Sequence, residues 1–171
     1  MSIDPRRFRN AIGCFATGIA VVTFCPEGQE KGAEGSGPFG ITVNSVTSVS
    51  LEPPLVLFCL ARASRYYADV MACREFVINI LAEGQQDLSA RFASSATQGQ
   101  WREVAAGVTA AGAPVLAGAL AAITCSREVI HDGGDHGIVI GRVTALDWRP
   151  EGAPLLYYRG RYVRLDGDMQ G

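Results

Sequence analysis

The stretch from Phe39 to Leu60, FGITVNSVTSVSLEPPLVLFCL, begins and ends as an apolar strand and carries Thr42, Asn44, Ser45, Thr47, Ser48 and Ser50 in between. Strict alternation would sort these residues onto one polar face. Here the polar residues fall on both parities, so a simple amphipathic strand is expected only as far as about Ser45, followed by a hydroxyl-rich bend and a second buried strand. Pro53 and Pro54 make a stiff corner ahead of that second strand. Such a bend has two readings. Ser and Thr often cap their own turn, and the residues alone favour this. The other reading is a polar cradle that binds an anionic or heteroaromatic ligand through hydroxyls and backbone N–H groups, without a basic patch.

Outward from this stretch the strands outnumber the helices. Ile19 to Phe24 (IAVVTF) and Phe76 to Leu81 (FVINIL) are β-branched and aromatic runs that predict buried strands. Ala119 to His131 and Gly137 to Trp148 are two long β-type runs, joined by Asp132-Gly133-Gly134-Asp135 as a hairpin turn. A last short pair, Leu155 to Tyr158 and Tyr162 to Leu165, flanks Gly160. Helical spacing predicts short helices over Phe8 to Ala16, over Ser64 to Ala72 with Ser64 as N-cap, and over Gln85 to Ala93. Pro26 to Pro38 is expected to be a Gly- and Glu-rich loop, and Gln98 to Val115 to be irregular. The class this predicts is a mainly β barrel with helical decoration.

Composition bounds the rest. At 171 residues, 48% hydrophobic and 19% charged, the chain is expected to form one globular domain spanning 1–171, with its core over about 8–165. A net charge of -2, from 15 basic and 17 acidic residues, gives no positive field for nucleic acid. No window approaches the length of a membrane span, and the amino-terminal residues hold no leader-like apolar run, so a cytoplasmic protein without a membrane or nucleic-acid partner is expected. The cysteines number five and include no C-x-x-C pair, which predicts reduced, buried side chains.

Common catalytic signatures are missing. Gly35-Ser36-Gly37-Pro38-Phe39-Gly40 matches G-x-G-x-x-G, but it leads into a strand and position 60 is Leu, so it reads as a chance match in a turn. Cys125, His131, Asp132, Asp135 and His136 match no standard zinc spacing, so no metal is expected. No serine sits in a G-x-S-x-G elbow. His136, one of only two histidines, is either a surface turn residue or a hydrogen-bonding group presented at a strand end.

Five separated motifs, in order along nearly the whole chain, resemble the short-chain flavin reductase family, the reductase components of two-component flavin-dependent monooxygenases. They are Phe15 to Thr23, Gly40 to Val56, Phe76 to Leu81, Gly133-Gly134-Asp135-His136, and Tyr157-Tyr158-Arg159-Gly160-Arg161-Tyr162. The resemblance implies a split β-barrel, a homodimer with flavin sites near the subunit interface, and oxidation of NADH or NADPH with FAD or FMN as acceptor. It further implies transfer of reduced flavin to a separate oxygenase. It assigns Thr42, Val43, Asn44, Ser45, Ser48 and Ser50 to the flavin ring, ribityl chain and phosphate, with Arg62, Ala63 and Ser64 closing on the phosphate. Ser64, as a helix start, would add N-terminal amides. Arg91 and Phe92 match the pair near the far end of the flavin, while His136 and the segment from Arg159 to Tyr162 match the nicotinamide side, His136 being the residue closest to a catalytic one. Gly137 departs from the family, which often has a larger residue there. A non-catalytic flavin-binding module on the same barrel is the alternative. An oxidase of a vitamin B6 compound is disfavoured, because the basic residues for a second phosphate are not evident.

Overall fold

The run from Ile19 to Phe24 is buried throughout, and its parity divides it between two cores. Ala20, Val22 and Phe24 join one apolar cluster with Phe39, Ile41, Val43, Val56, Phe58, Phe76 and Ile78. Ile19 and Val21 face the other way, into a second cluster with Leu81, Phe92, Leu116 and Leu155. A strand buried on both faces must be covered on both. Here one cover is the curled sheet itself and the other is a helix with small flanking sheets.

The computed structural model of the chain describes residues 3–26, 37–94 and 100–165. Its elements are α1 (Pro5–Ile12), β1 (Thr17–Gly18), β2 (Ala20–Phe24), β3 (Phe39–Val43), β4 (Thr47–Leu51), β5 (Pro54–Ala61), α2 (Tyr67–Ala72), β6 (Glu75–Ile80), α3 (Gln86–Ala93), β7 (Ala106–Val108), β8 (Pro114–Leu116), β9 (Ala121–Gly133), β10 (His136–Trp148), β11 (Leu156–Tyr158) and β12 (Arg161–Val163). The main sheet has seven strands in the order β3-β2-β6-β9-β10-β5-β4. Its ladders are all antiparallel. The outermost strands, β3 and β4, follow one another in the chain with only residues 44–46 between them. A link of that length reaches at most about 14 Å, so the sheet must curl until its edges nearly meet. No ladder joins them, and the result is a split barrel with its opening at Asn44–Val46.

The interior is rich in aromatic rings. Phe58 and Phe76 meet edge to face with centroids 5.3 Å apart. Gly141 on β10 makes room for Phe76, since a Cβ there would come within 2.4 Å of the ring. On the opposite face of β2 and β6, Asn79 is fully buried and satisfied: its amide donates to the Val21 carbonyl at 3.1 Å and its oxygen accepts from the Leu116 N–H at 2.8 Å.

Several sequence expectations need correction. The hydroxyl-rich bend is in fact the strand β4, an edge strand paired to β5 with a bulge between Ser48 and Ser50. β4 is exposed along most of its length, so polar side chains stand on both of its faces and hydroxyls fall on both parities. Residues 106–116, expected to be irregular, form the β7–β8 hairpin. The first helix runs from Pro5 to Ile12 rather than from Phe8 to Ala16. It is capped by Asp4, whose carboxylate accepts from the Arg7 N–H at 2.8 Å, and it buries no residue. Ser64 is not an N-cap, because α2 begins three residues later, at Tyr67. The β9–β10 turn is only Gly134-Asp135 rather than Asp132 to Asp135, and His136 stands at a strand end, as the first residue of β10. No cysteine is in a disulfide, but only Cys73 and Cys125 are buried and Cys14 is exposed. Burial pushes the Cys125 thiol up to about 12. Most of the Pro26 to Pro38 loop, the start of the G-x-G-x-x-G match and Gln98 lie outside the described residues.

Candidate functional site

Alternation along β3 turns Phe39, Ile41 and Val43 into the barrel and leaves Gly40 and Thr42 on its outer face, beneath α3. The close approach of α3 requires Gly40, since a Cβ would come within 2.7 Å of the Phe92 ring. Phe92 also meets Trp101 edge to face at 5.0 Å. The Thr42 hydroxyl donates to the Ser89 carbonyl at 2.7 Å. The Ser89 hydroxyl shares a 2.9 Å hydrogen bond with Tyr162, so α3, β3 and β12 are tied through one residue.

A cleft of about 370 Å³ opens where β3 and α3 meet the turn after β5, lined by Thr42, Ala63, Ser64, Arg65, Tyr66 and Phe92 among others. Ser64 belongs to a compact turn: its N–H donates to the Ala61 carbonyl and its own carbonyl accepts from the Tyr67 N–H, both at 2.9 Å. The Tyr66 ring stacks on Phe39 at 4.7 Å and carries the Arg65 guanidinium at 4.6 Å on its face. Burial raises the Tyr66 phenol above its ordinary value, so it stays protonated. It donates to the Gln100 oxygen at 3.4 Å, and Gln100 donates to the Gly40 carbonyl at 3.1 Å. Arg65, Tyr66, Ser89 and Gln100 were missed by sequence reasoning. The first two directly follow Ser64, which is the only local signal for them.

Two residues along the chain, Asn44 lines a second hollow of about 260 Å³ with Ala16, Thr17, Gly18 and Val46. The Thr17 hydroxyl oxygen is buried there without a hydrogen-bond partner among the described residues. The remaining hydroxyls of the opening stretch lie elsewhere. The Val43 side chain is part of the interior core. The Ser45 hydroxyl bridges to β5, accepting from the Cys59 N–H at 2.9 Å and donating to its carbonyl at 3.3 Å. Ser48 and Ser50 stand on β4, opposite Val56 and Leu55, and line neither hollow.

His136 pairs with Ala61, the last residue of β5, so it adjoins the segment that leads to Ser64. Its Nδ1 lies 2.7 Å from Asp135 Oδ1, which leaves Nε2 without a hydrogen-bond partner among the described residues, and its side chain is 43% exposed. The hydrogen bond to His136, followed by the imidazole charge, holds the Asp135 carboxyl below its ordinary value. Gly137 has room only for hydrogen because Tyr67 fills the space, with its hydroxyl oxygen 2.9 Å from where a Cβ would stand.

The other arginines are engaged elsewhere. Arg62 binds the β9–β10 turn through Gly134 and Asp132, and Arg91 donates to the Arg102 carbonyl. Arg159, at φ 48° in the β11–β12 turn, lies over the Tyr158 ring at 5.1 Å. With Arg9, Asn10 and Cys14 it lines a third hollow of about 500 Å³. The structure therefore brings Thr42, Ala63, Ser64 and Phe92 to one cleft, puts His136 at the end of the same turn segment, and leaves Arg159 outside that cleft.

Among the described residues no group of three or more His, Cys, Asp or Glu gathers as a metal would require. Among the same residues no helix is long and apolar enough to cross a membrane. The groups available are hydroxyls, backbone amides, aromatic rings and the Arg65 guanidinium, with the His136 imidazole beside them. Two hollows along one strand fit an elongated ligand with a polar heterocycle and an anionic chain.

Comparison with known proteins agrees. The model for the flavin reductase like domain matches residues 12–166. The reductase subunit HsaB of a flavin-dependent monooxygenase from Rhodococcus jostii is 42% identical over 98% of this chain and 81% of its own length. The FMN reductase (NADH) SmoA from Agrobacterium fabrum is 39% identical over 95% of this chain and 87% of its own. The solved NADH:FAD oxidoreductase SgcE6 from Streptomyces globisporus, in complex with NAD and FAD fragments, superposes with a TM-score of 0.86 at 33% identity, covering 99% of both chains.

Proposed function

We propose, from the premise that the chain belongs to the flavin reductase like family, that it is an NAD(P)H-dependent flavin reductase: it takes a hydride from NADH or NADPH and passes it to FAD or FMN. The reduced flavin then goes to a separate oxygenase, a reading supported by the Rhodococcus jostii relative, which is the reductase subunit of a flavin-dependent monooxygenase. The observation that carries this reading is the joining of the Thr42–Ser64–Tyr66 cleft to His136 through the short segment from Ala61 to Ser64.

The flavin supplies the hydride-accepting ring chemistry when bound. The chain's task is binding and orientation. Ser64, with the backbone amides of its turn, receives the anionic chain, and the Thr42 oxygen accepts a further hydrogen bond while its proton stays on Ser89. Asn44 and the unpartnered Thr17 hydroxyl face the planar end; a buried hydroxyl left unpaired costs about 1–3 kcal/mol, a cost that a ligand offering a partner removes. His136 Nε2 orients the nicotinamide carboxamide while Asp135 fixes the ring through Nδ1. Positioning of two reactants contributes about 7–11 kcal/mol when geometry is near attack, and no nucleophile or metal is needed for it.

The chain works as one domain and as a homodimer in the cytoplasm. Support for the dimer comes from α1 and its neighbour Phe15, where Phe8, Ile12 and Phe15 are 60%, 59% and 72% exposed. Light scattering on the purified protein tests it. The function is tested by steady-state rates with NADH and NADPH against FAD, FMN and riboflavin. Turnover with at least one phosphorylated flavin is expected, and no turnover with any pair overturns the proposal in favour of a binding module. A rate with riboflavin equal to that with FMN would remove Ser64 from the phosphate.

A further inference from the structure

Arg65 lines the cleft itself; Arg62, three residues earlier, is the arginine that the resemblance sets on the flavin phosphate, yet its donors converge on a different target. Its backbone N–H donates to the Asp135 carbonyl at 2.9 Å, and its Nε donates to the Gly134 carbonyl at 3.0 Å. Its Nη2 meets Asp132 Oδ2 at 3.0 Å. Asp132 in turn accepts the Gly134 N–H on its other oxygen at 2.8 Å. Gly134 stands at φ 78°, a left-handed conformation that glycine adopts without cost. The flat guanidinium is braced by Tyr67, whose ring centroid is 5.6 Å from Cζ. The same tyrosine closes over Gly137, the residue after His136.

We infer that Arg62 and Asp132 are positioning residues, which clamp the β9–β10 turn to the end of β5 and thereby fix where the His136 imidazole stands. An exposed ion pair alone contributes little. The distinguishing feature here is that a rigid fork and a backbone amide grip successive residues of one turn, and only arginine offers that fork. Asp135 holds the imidazole by Nδ1, and the clamp holds the backbone that carries Asp135. The inference rests on the reading of His136 as the nicotinamide-side group, and it moves Arg62 away from the flavin phosphate.

The test uses Arg62→Ala, Arg62→Lys, His136→Asn and the double variant Arg62→Ala/His136→Asn. Each is measured for KM with NADH, flavin Kd, and the imidazole ¹H–¹⁵N signals of the flavin-free protein. A His131→Gln background leaves His136 as the only histidine. Removing a group that orients a functional ligand typically costs about 10–100-fold, so Arg62→Ala should raise KM for NADH about tenfold. Flavin Kd should stay within about twofold, and the His136 ring signals should broaden or double. Arg62→Lys, which keeps the charge and loses the fork, should not restore them. The double variant should be no worse than His136→Asn, as expected of residues acting through one group. The opposite pattern overturns the inference: FMN binding weakened relative to riboflavin, restored by lysine, and additive with His136→Asn. If His136→Asn changes no rate, the nicotinamide-side reading fails by itself. The clamp is then judged on the imidazole signals, and unchanged signals in Arg62→Ala overturn it.

Discussion

The two faces of β3 are built on different principles. Inward, Phe39, Ile41 and Val43 share a cluster in which each side chain touches several others and none has a unique partner. Outward, Gly40 and Thr42 each answer to one neighbour, the Phe92 ring and the Ser89 carbonyl. The inner face needs apolar volume. The outer face needs particular atoms, because it forms one wall of the cleft. Stability and ligand binding should therefore separate when the two faces are altered independently.

The largest effect is expected inside. Phe58 is fully buried in the interior cluster, and Phe58→Ala should cost about 3–5 kcal/mol in a urea titration. Surviving folded protein should bind flavin nearly as before. Gly40→Ala comes next, because its Cβ meets the Phe92 ring and α3 must shift. Overpacking of this kind costs about 1–3 kcal/mol, and here it should weaken flavin binding by at least as much as it weakens the fold, as titration of flavin fluorescence would report. A finer division comes from two smaller changes. Thr42→Val removes the hydroxyl's hydrogen bond to the Ser89 carbonyl, for about 1 kcal/mol of stability, and should lose flavin affinity. Ile78→Val, in the same interior cluster but lining neither hollow, should cost a similar amount, about 0.5–1.5 kcal/mol, with affinity unchanged. Equal affinity losses from both would erase the distinction between the faces.

The smallest effect is one of pH at the β9–β10 turn. The Gly134 N–H first, then the Arg62 charge, hold the Asp132 carboxyl below its ordinary value of 3.8. A depressed carboxylate contributes fully above its unfolded value and loses that contribution as pH falls through the folded one. KM for NADH should therefore show no Asp132 step between about pH 5 and 8, and Asp132→Asn should raise it uniformly across that range. A step within the range would place a different group in control.

The contrast between faces also explains what the sequence revealed. The inner face repeats with the strand period, so β2, β3, β5 and β6 were legible from IAVVTF, FGITV, LVLFCL and FVINIL, and the Asp-Gly turn marked the long hairpin. β4 was misread because its bulge breaks the period between Ser48 and Ser50 and its residues are mostly exposed. The extent of α1 was misjudged because apolar spacing suggested a buried face, where Phe8 and Ile12 meet no core within the chain. For the candidate site, the resemblance directed attention to Thr42, Ser64 and His136, but their partners were out of reach. Ser89 meets Thr42 across 47 positions and Gln100 meets Gly40 across 60, and no local pattern encodes such pairs. Arg62 illustrates the limit: the resemblance set it on the phosphate together with Ala63 and Ser64, and only the tertiary geometry ties it to Gly134 and Asp132.

The central claim is that this chain brings a reduced nicotinamide and a flavin together at the segment between His136 and Ser64. Anaerobic mixing of the protein and oxidised FAD or FMN with NADH, followed by loss of the flavin absorbance, tests it in one step. The account predicts bleaching that saturates with NADH, with half-saturation moved to higher NADH by His136→Asn and flavin Kd unaltered. Bleaching no faster than in a protein-free control, with either flavin, would contradict it.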